Sequence, residues 1–414
     1  MHETMRLAML TPAWPAGFYP NGIVSYTARQ RAALELAGAQ VHILSERSGA
    51  AEQGVVRLRN GATRTPWQRL RKWVRHRCHG DAAQLMELAE ALVKHLWRLH
   101  EAHELQLVQM PDTFGLARLV APRSPVPVVV RLHGPWFLNG SARSGELDER
   151  DRQRVEDEGR GIAAAHGVTA PSRSVLERTR EHYGMELPEA AVIPNPITVP
   201  APEQLWRLND CHPRKLLFIG RFDRHKGADL MFEAFARLRR DFNDLQLQFV
   251  GPDRGLISDS GREWKLHDYL AHHVPAEARE AIEVLGPQPE QNLAALRRGA
   301  LVTVVPSRYE TFGNTALEAM SFGCPVVTAE VGGLAEIVSD RVTGRTFPPG
   351  DAEALATVLG ELCEDHAQAQ QMGRNAQEHV CREYAPRPIA ERTLAFFEGV
   401  RERAGGAVRE GVST

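Results

Sequence analysis

The sequence of 414 residues has few of the features that mark secreted, membrane-spanning or nucleic-acid-binding proteins. Its five cysteines are an odd number, are widely scattered and form no C-x-x-C pair. This pattern argues against a disulfide framework or a zinc site and indicates reduced, cytosolic thiols. The first residues lack the basic stretch and apolar core of a signal peptide, and no apolar run reaches the roughly 18 residues of a transmembrane helix. A formal net charge of −2 provides no general basic field for nucleic acid.

Motifs for several nucleotide-dependent reactions are also missing. The Walker A pattern G-x-x-x-x-G-K-[ST] occurs nowhere, so P-loop phosphoryl transfer is not expected. No G-x-G-x-x-G follows the first apolar run, Arg6–Leu10, which counts against a nicotinamide-dependent dehydrogenase. No Asp-x-Asp pair is placed to hold a metal ion. We therefore expect a cytoplasmic protein that needs no metal or other cofactor.

Short apolar runs alternate with helical patterns from one end of the chain to the other. Runs rich in Val and Leu predict parallel strands buried on both faces, and their alternation with helices predicts open, doubly wound α/β sheets. The length suits two such Rossmann-like domains, and the proline-rich stretch 193–202 marks the boundary between them. The predicted strands are Arg6–Leu10, Gln40–Leu44, Leu105–Met110, Val126–Leu132, Lys215–Gly220, Leu245–Val250, Ile282–Leu285, Leu301–Val305 and Pro325–Thr328.

The densest group of candidate site residues lies between Val304 and Gly333. A predicted strand ends there, a loop carries Glu310, and Gly313 precedes a helix that begins near Asn314. Ligands of open α/β sheets bind beyond the carboxyl ends of the strands, and a helix N-terminus attracts phosphate. Gly313 allows close approach of that phosphate, and Asn314 or Thr315 caps the helix or contacts the ligand. Glu318, one turn into the helix, is placed to accept both hydroxyls of a ribose.

A second group is G-R-F-D-R-H-K-G, Gly220–Gly227, directly after a predicted strand. Arg221 and Lys226 would together neutralise a diphosphate, the arginine by bonding two oxygens and the lysine as a point charge. Taken alone, two cations in a surface turn are more often simply solvated.

Two positions in the first half also follow predicted strands. Gly22, in the pair Asn21-Gly22, would let backbone amides approach an anion, although an ordinary turn explains it equally well. His133 ends the strand Val126–Leu132, and an isolated histidine is more often structural than catalytic.

The segment 57–79 contains no acidic residue and is strongly basic. Trp67, Leu70, Trp73 and Val74 share one face of a predicted helix, which would suit a helix lying in a membrane interface that attracts anionic lipid. A solvated basic face with its tryptophans packed in the domain is the alternative. The cations are Arg57, Arg59, Arg64, Arg69, Arg71, Lys72, Arg75 and Arg77.

Taken together, these groups resemble the family-4 retaining glycosyltransferases, which have the GT-B fold. The family's two glutamates separated by seven residues match Glu310 and Glu318. Its G-R-x-x-x-x-K-G element matches Gly220–Gly227, and its G-G-x-x-E-I-V element matches Gly332–Val338. The resemblance covers nearly the whole chain and is strongest over Lys215–Asp351. One departure is the pair Asn21-Gly22, where two glycines are common in the family.

The resemblance implies two Rossmann-like domains that face each other across a cleft. Residues 1–197 would bind the acceptor, residues 198–385 would bind the nucleotide sugar, and residues 386–414 would form a helix that crosses back to the first domain, plus a tail from Ala404. It implies catalytic roles for Glu310, His133, Arg221 and Lys226. The positions that would bind the nucleotide sugar are Gly22, Gly220, Arg221, Lys226, Pro287, Phe312, Gly313, Asn314, Thr315 and Glu318.

The expected reaction transfers a sugar, with retention, from a nucleotide-diphosphate sugar to a hydroxyl of a glycan, lipid-linked or small-molecule acceptor. The alternatives are another GT-B enzyme, such as a UDP-sugar 2-epimerase or a starch or glycogen synthase, and a non-catalytic protein that binds nucleotide sugars or glycans. The synthases usually carry K-x-G-G-L near the start, where this sequence has Tyr19-Pro20-Asn21-Gly22-Ile23. A 2-epimerase needs further carboxylates and histidines that the sequence does not reveal. A protein that only binds nucleotide sugars or glycans would not need Glu310, Glu318, Arg221 and Lys226 together.

Overall fold

The computed structural model describes residues 4–18, 21–49, 52–58, 66–144, 147–258 and 260–410, and for residues 18, 66–81, 141–144 and 406–410 it describes the backbone alone. The chain forms two compact units. Unit 1 comprises Met1–Ser141, Glu146–Pro196 and Pro386–Thr414, and unit 2 comprises Ala142–Gly145 and Ile197–Ala385. The point at which the chain passes into unit 2 falls within the proline-rich stretch 193–202.

Unit 1 contains a parallel sheet of seven strands in the order β3-β2-β1-β4-β5-β6-β7. The long helix α2 contains most of the predicted basic face, whose side chains, together with Arg59 and Arg64, lie outside the described residues. The elements are β1 (Arg6–Thr11), α1 (Gly22–Leu36), β2 (Gln40–Ser45), β3 (Val55–Arg57), α2 (Pro66–His103), β4 (Leu107–Pro111), α3 (Ala117–Val120), β5 (Val128–Arg131), α4 (Trp136–Ser144), α5 (Glu149–Ala163), β6 (Gly167–Ala170), α6 (Arg173–Tyr183) and β7 (Ala190–Val192).

Unit 2 contains a parallel sheet of six strands in the order β12-β9-β8-β13-β14-β15, and a short antiparallel pair, β10-β11. The elements are β8 (His212–Ile219), α7 (Ala228–Leu238), β9 (Gln246–Val250), β10 (Leu256–Ile257), β11 (Glu263–Trp264), α8 (Leu266–His273), α9 (Ala276–Arg279), β12 (Ile282–Gly286), α10 (Glu290–Gly299), β13 (Ala300–Val305), α11 (Asn314–Ser321), β14 (Val326–Ala329), α12 (Leu334–Ile337), β15 (Arg345–Phe347), α13 (Ala352–Glu364) and α14 (His366–Glu383). The chain then returns to unit 1 as α15 (Pro386–Glu410).

The predicted α/β class with doubly wound parallel sheets is confirmed. The central strands β4, β5, β13 and β14 are buried along their whole length, as strands covered by helices on both faces must be. The tail expected from Ala404 is wrong in part, because α15 continues as helix to Glu410. In the part of the chain that the structure describes, no helix is both long and apolar enough to span a membrane.

Gly227, the residue directly before α7, shows how closely the backbone packs in unit 2. Gly227 has φ +69°, and a Cβ there would lie 1.9 Å from the carbonyl oxygen of Pro306, directly after β13. Gly350 has a similar φ of +82°, but a Cβ there would meet nothing within 4 Å. The two glycines therefore separate the cost of backbone strain from the cost of a steric clash.

We expect Gly350→Ala to cost about 1–2 kcal/mol, the usual penalty of a left-handed backbone conformation for an L-residue. Gly227→Ala adds the clash with Pro306 and should cost more than about 3 kcal/mol, beyond most single substitutions. Calorimetric unfolding of the two variants checks this. Equal unfolding midpoints would show that the approach of Gly227 to Pro306 is not a close one.

Candidate functional site

Two loops of unit 2 meet because the strands that precede them are parallel neighbours. β8 pairs with β13 in the register Leu217↔Thr303 and Phe218↔Val304, so both strands end at the same edge of the sheet. The loop Gly220–Gly227 follows β8, and the loop that carries Glu310 follows β13. The amide of Arg308 donates to the carbonyl oxygen of His225 at 2.9 Å and joins the two loops.

Lys226 and Glu310, 84 residues apart in sequence, form an ion pair at this edge. The hydroxyl of Ser307 donates to the same Oε1 of Glu310 at 2.9 Å. Burial alone would raise the pKa of Glu310, but the charge and hydrogen bond of Lys226 outweigh it and hold that pKa below its ordinary value. Glu310 is therefore a carboxylate throughout the neutral range.

Asp223 connects the two cations of the loop after β8. Its Oδ2 accepts from Arg221 Nε at 2.5 Å, and its Oδ1 accepts from the amide of Lys226 at 2.8 Å. The Arg221 side chain remains 39% exposed. Asp229 in α7 accepts two bonds of 2.8 Å from Arg308, a bidentate pair that fixes the start of that helix against the second loop. These contacts hold the positively charged side chains of Arg221 and Lys226 at one strand edge.

The start of α11 lies at the end of the loop that carries Glu310. Gly313 caps it with φ 108° and ψ 45°, and Asn314 and Thr315 form its first two positions. Phe312 is buried in the core of unit 2. The amide of Gly333 donates to the carbonyl oxygen of Glu310 at 2.9 Å, so the G-G-x-x-E-I-V element is hydrogen-bonded to this loop. A helix N-terminus in this position provides backbone amides and a dipole suited to an anion.

Glu318 forms an ion pair with Arg297, at the end of α10. The arginine is 3% exposed, so the pair brings a buried cation to the carboxylate that the sequence assigns to a ribose. The sequence analysis missed Arg297, and the only signal was a cation in the last turn of a helix before a buried strand. Pro287 lies between β12 and α10, at the same strand edge but separated from β8 by β9.

The two candidate residues of unit 1 also lie at strand ends. α1 begins at Gly22, and Asn21 caps it by accepting from the amide of Ile23 at 2.8 Å. His133 follows β5 and packs edge-on against Tyr26 of α1, with 4.8 Å between ring centroids. Burial and then the charge of Arg131 lower the pKa of His133 well below its ordinary value, so its imidazole is neutral at neutral pH.

Unit 2 thus brings Gly220, Arg221, Lys226 and Glu310 together with the start of α11, and unit 1 brings Gly22 and His133 to one sheet edge. Among the residues that the structure describes, no group of three or more His, Cys, Asp or Glu side chains is arranged to hold a metal ion. The four cysteines whose side chains the structure describes, Cys211, Cys324, Cys363 and Cys381, are free thiols.

Comparison with known proteins connects both halves of the chain to one enzyme class. Residues 208–379 match the family described as glycosyl transferases group 1, and residues 20–199 match glycosyltransferase family 4. The chain is 31% identical over 226 residues to a glycogen synthase of Mycobacterium tuberculosis, an alignment that covers 55% of the chain and 52% of that enzyme. It is 29% identical over 304 residues to D-inositol 3-phosphate glycosyltransferase 1 of Catenulispora acidiphila, covering 70% of each. The chain therefore spans about half the length of the glycogen synthase that it matches.

Solved structures share the fold over nearly the whole chain. A sucrose-phosphate synthase from Thermosynechococcus elongatus superposes with a TM-score of 0.66 at 21% identity and covers 99% of both chains. The Anabaena protein HepE, solved in complex with UDP and glucose, gives a TM-score of 0.66 at 19% identity and covers 95% of this chain and 100% of its own. At such identities the likeness shows the GT-B fold alone and does not identify the substrate.

Proposed function

The chain belongs to the group 1 and family 4 glycosyltransferases of GT-B fold, and we propose that it transfers a sugar, with retention of configuration, from a nucleotide-diphosphate sugar to a hydroxyl acceptor. The observation that supports this most directly is the placement of Arg221 and Lys226 beside Glu310 and the start of α11. Two cations and a helix N-terminus at one strand edge suit a diphosphate. The fixed carboxylate beside them suits the hydroxyl groups of a sugar.

The chemistry of the leaving group explains why these residues would act together. Negative charge develops on the diphosphate as its bond to the sugar breaks, and fixed positive groups lower the barrier most where that charge appears. Lys226 would bind the diphosphate as a point charge and Arg221 would bond two of its oxygens. The N-terminus of α11 would add a partial positive charge. We infer that these groups act without a metal ion.

Glu310 suits the role of positioning the donor sugar. Its Oε1 accepts from both Lys226 and Ser307, so its orientation is fixed before any sugar binds. Lys226 lowers the pKa of this carboxylate against the effect of burial, and a less basic carboxylate is a weaker nucleophile. We therefore propose a front-face route, in which the leaving phosphate helps to remove the proton of the acceptor hydroxyl and His133 contacts the donor sugar.

The donor and acceptor can be proposed as chemical classes. Solved relatives bind UDP or UDP-glucose, which supports a nucleoside-diphosphate hexose as donor. The ribose would bind Glu318, and the loop around Pro287 would contact the base. Gly22 would approach the diphosphate through backbone amides. The acceptor hydroxyl would belong to a glycan, a lipid-linked sugar or a small polyol, in polysaccharide or glycolipid biosynthesis.

The proposed location is the cytoplasm, where free thiols and nucleotide sugars coexist. The absence of acidic residues between Gln53 and Gly80 further supports peripheral contact with the inner face of a membrane.

Replacing Lys226 tests the diphosphate assignment. We expect Lys226→Ala to lower the rate of sugar transfer about 100-fold or more, the usual loss when one group that stabilises transition-state charge is removed. Release of UDP, GDP or ADP from the matching glucose conjugates measures it. Lys265→Ala removes another lysine of unit 2 that is paired with a glutamate but is exposed, and it should leave the rate unchanged. Normal transfer by a folded Lys226→Ala enzyme would contradict the assignment, and a wild type that binds donors without turnover would indicate a binding protein.

Ribose recognition can be tested on Glu318 and Arg297 together. Bonds to a carboxylate contribute about 1.5–3 kcal/mol, so Glu318→Ala should weaken nucleoside diphosphate binding about 10- to 100-fold. Arg297→Ala should weaken it as well, because the glutamate loses its buried partner. Both variants should lose the preference of the wild type for the ribonucleotide over its 2′-deoxy analogue, as measured by calorimetric titration. Arg237→Ala, which breaks an exposed pair with Glu233, is the control. Unchanged discrimination in Glu318→Ala would remove the ribose role.

Membrane contact can be tested by changing Arg69, Arg71, Lys72 and Arg75 to Ser. Each cation near an anionic surface contributes about 1 kcal/mol, so the fourfold variant should lose most of its sedimentation with phosphatidylserine vesicles. Pure phosphatidylcholine vesicles serve as the control. A wild type that never sediments with anionic vesicles would end this proposal.

A further inference from the structure

Two carboxyl groups are buried beneath the segment that carries His133. Asp112 directly follows β4, and Glu158 lies in α5. Asp112 is 3% exposed and Glu158 is 1% exposed. A buried carboxylate costs free energy unless hydrogen bonds or a cation compensate for its lost hydration. The hydrogen bonds of the two groups therefore indicate what each one does.

Glu158 has the partners of an ionised carboxylate. Its Oε2 accepts from the amide of Trp136 at 2.5 Å, and its Oε1 accepts from the amide of Phe114 at 3.2 Å and from Arg154 Nε at 2.9 Å. The guanidinium of Arg154 also lies 3.8 Å from the centre of the Trp136 ring. Burial raises the pKa of Glu158, and the charge of Arg154 and the two backbone amides oppose that rise by favouring the charged form.

Asp112 has the surroundings of a neutral carboxylic acid. Its Oδ1 accepts from the amide of His133 at 3.3 Å. Its Oδ2 is buried and has no hydrogen-bond partner. Burial first and then the charge of Glu158 raise the pKa of Asp112 to about 7. When two neighbouring buried carboxyls have different donors, the one with fewer donors retains the proton.

We propose that Asp112 and Glu158 are positioning residues, which hold the backbone from His133 to Trp136 at two points and thereby fix the imidazole of His133. The inference rests on the proposed function, in which His133 contacts the donor sugar. A neutral imidazole donates from one ring nitrogen and accepts at the other, so its contact with a sugar hydroxyl depends on ring orientation. The amide of His133 bonds to one carboxyl and the amide of Trp136 bonds to the other.

The same arrangement predicts that the kcat of sugar transfer depends on pH. The other titratable or charged groups that act on the pair are Arg154 in α5, Arg131 in β5, Tyr183 in α6 and His133 itself. Of these, His133 is already neutral, and burial raises the pKa of Tyr183 above its ordinary value. Loss of the Asp112 proton therefore places two carboxylates beneath one backbone segment, and their repulsion loosens its hold on His133.

Four variants test the inference by kcat for sugar transfer between pH 6 and 8.5. Asp112→Asn retains Oδ1 and imitates the protonated acid, so it should stay within about threefold of wild type at pH 6. Asp112→Ala and Glu158→Gln disturb the amide contacts and should lose about 30- to 100-fold in kcat, the scale of a small misplacement of a reacting group. Asp157→Asn is the matched control, because Asp157 is the neighbour of Glu158 in α5 and bonds to Arg118 at 2.9 Å.

The pH profile separates positioning from a purely structural role. Wild-type kcat should fall above about pH 7, the value to which the pKa of Asp112 is raised, whereas the profile of Asp112→Asn should lack that fall. Full activity in Asp112→Ala, or equal losses in Asp112→Asn and Asp112→Ala at pH 6, would overturn the inference. If Asp112→Ala does not fold, identical alkaline limbs in wild type and Asp112→Asn would overturn it.

Thermal unfolding distinguishes a failure of this inference from a failure of the proposed function. A carboxyl whose pKa is raised on folding binds its proton more tightly in the folded state, so it lowers stability as pH rises from about 4 to about 7. Asp112→Asn should therefore show a smaller fall of the unfolding midpoint between pH 5 and 8 than wild type. An inactive wild type that shows this difference would refute the transferase and leave the buried pair intact. An active wild type with the same fall as Asp112→Asn would refute the pair.

Discussion

The pairing of β8 with β13 is the constraint on which the candidate site of unit 2 depends. Parallel neighbours must end at the same edge, so their two following loops share one small volume and bring several charged side chains into it. Each of these charges is compensated locally: Lys226 by Glu310, Arg221 by Asp223 and Arg308 by Asp229. Because the pairs are partly buried, removal of one partner leaves the other charge without a counter-ion and only partly hydrated. The loops are therefore positioned by the same electrostatics that would serve a diphosphate.

The two units place different charged groups after their strands. Unit 2 keeps cations at the surface of its edge, with Arg221 39% exposed, where an anionic ligand can reach them. Unit 1 buries the carboxyl of Asp112 after β4 and has the neutral imidazole of His133 after the neighbouring strand β5. A cation beside the reacting sugar would oppose positive charge developing at its reacting carbon, whereas a neutral imidazole can bond a hydroxyl without that penalty. The difference agrees with the roles proposed above for Arg221, Lys226 and His133.

Most of the fold could be predicted because its central strands are continuous apolar runs. The missed strands have two to four residues each, and they are β3, β6, β7, β10, β11 and β15. Of these, β6 has the sequence Gly-Val-Thr-Ala, which is too short to distinguish from a loop. Candidate site residues could be proposed where they stand close together in sequence, as Glu310 and Glu318 do. Arg297, Asp112 and Glu158 were missed because each bonds to a partner on another element. A buried ion pair or a carboxyl that binds backbone amides leaves no periodic or local pattern in the sequence.

Lys226 explains how one cation can serve both the folded protein and a ligand. Its ammonium group has three donors, and in the structure Glu310 accepts from it. An approaching diphosphate can use the remaining donors without breaking that pair, so the carboxylate need not be released to solvent. The lowered pKa of Glu310 ensures that this carboxylate stays charged and holds the lysine in place. Arg221, more exposed and bonded to Asp223 within its own turn, can exchange that bond for phosphate oxygens. A fixed cation and an exchangeable one are thus available together, and the charge of a departing diphosphate would meet a site that needs little rearrangement.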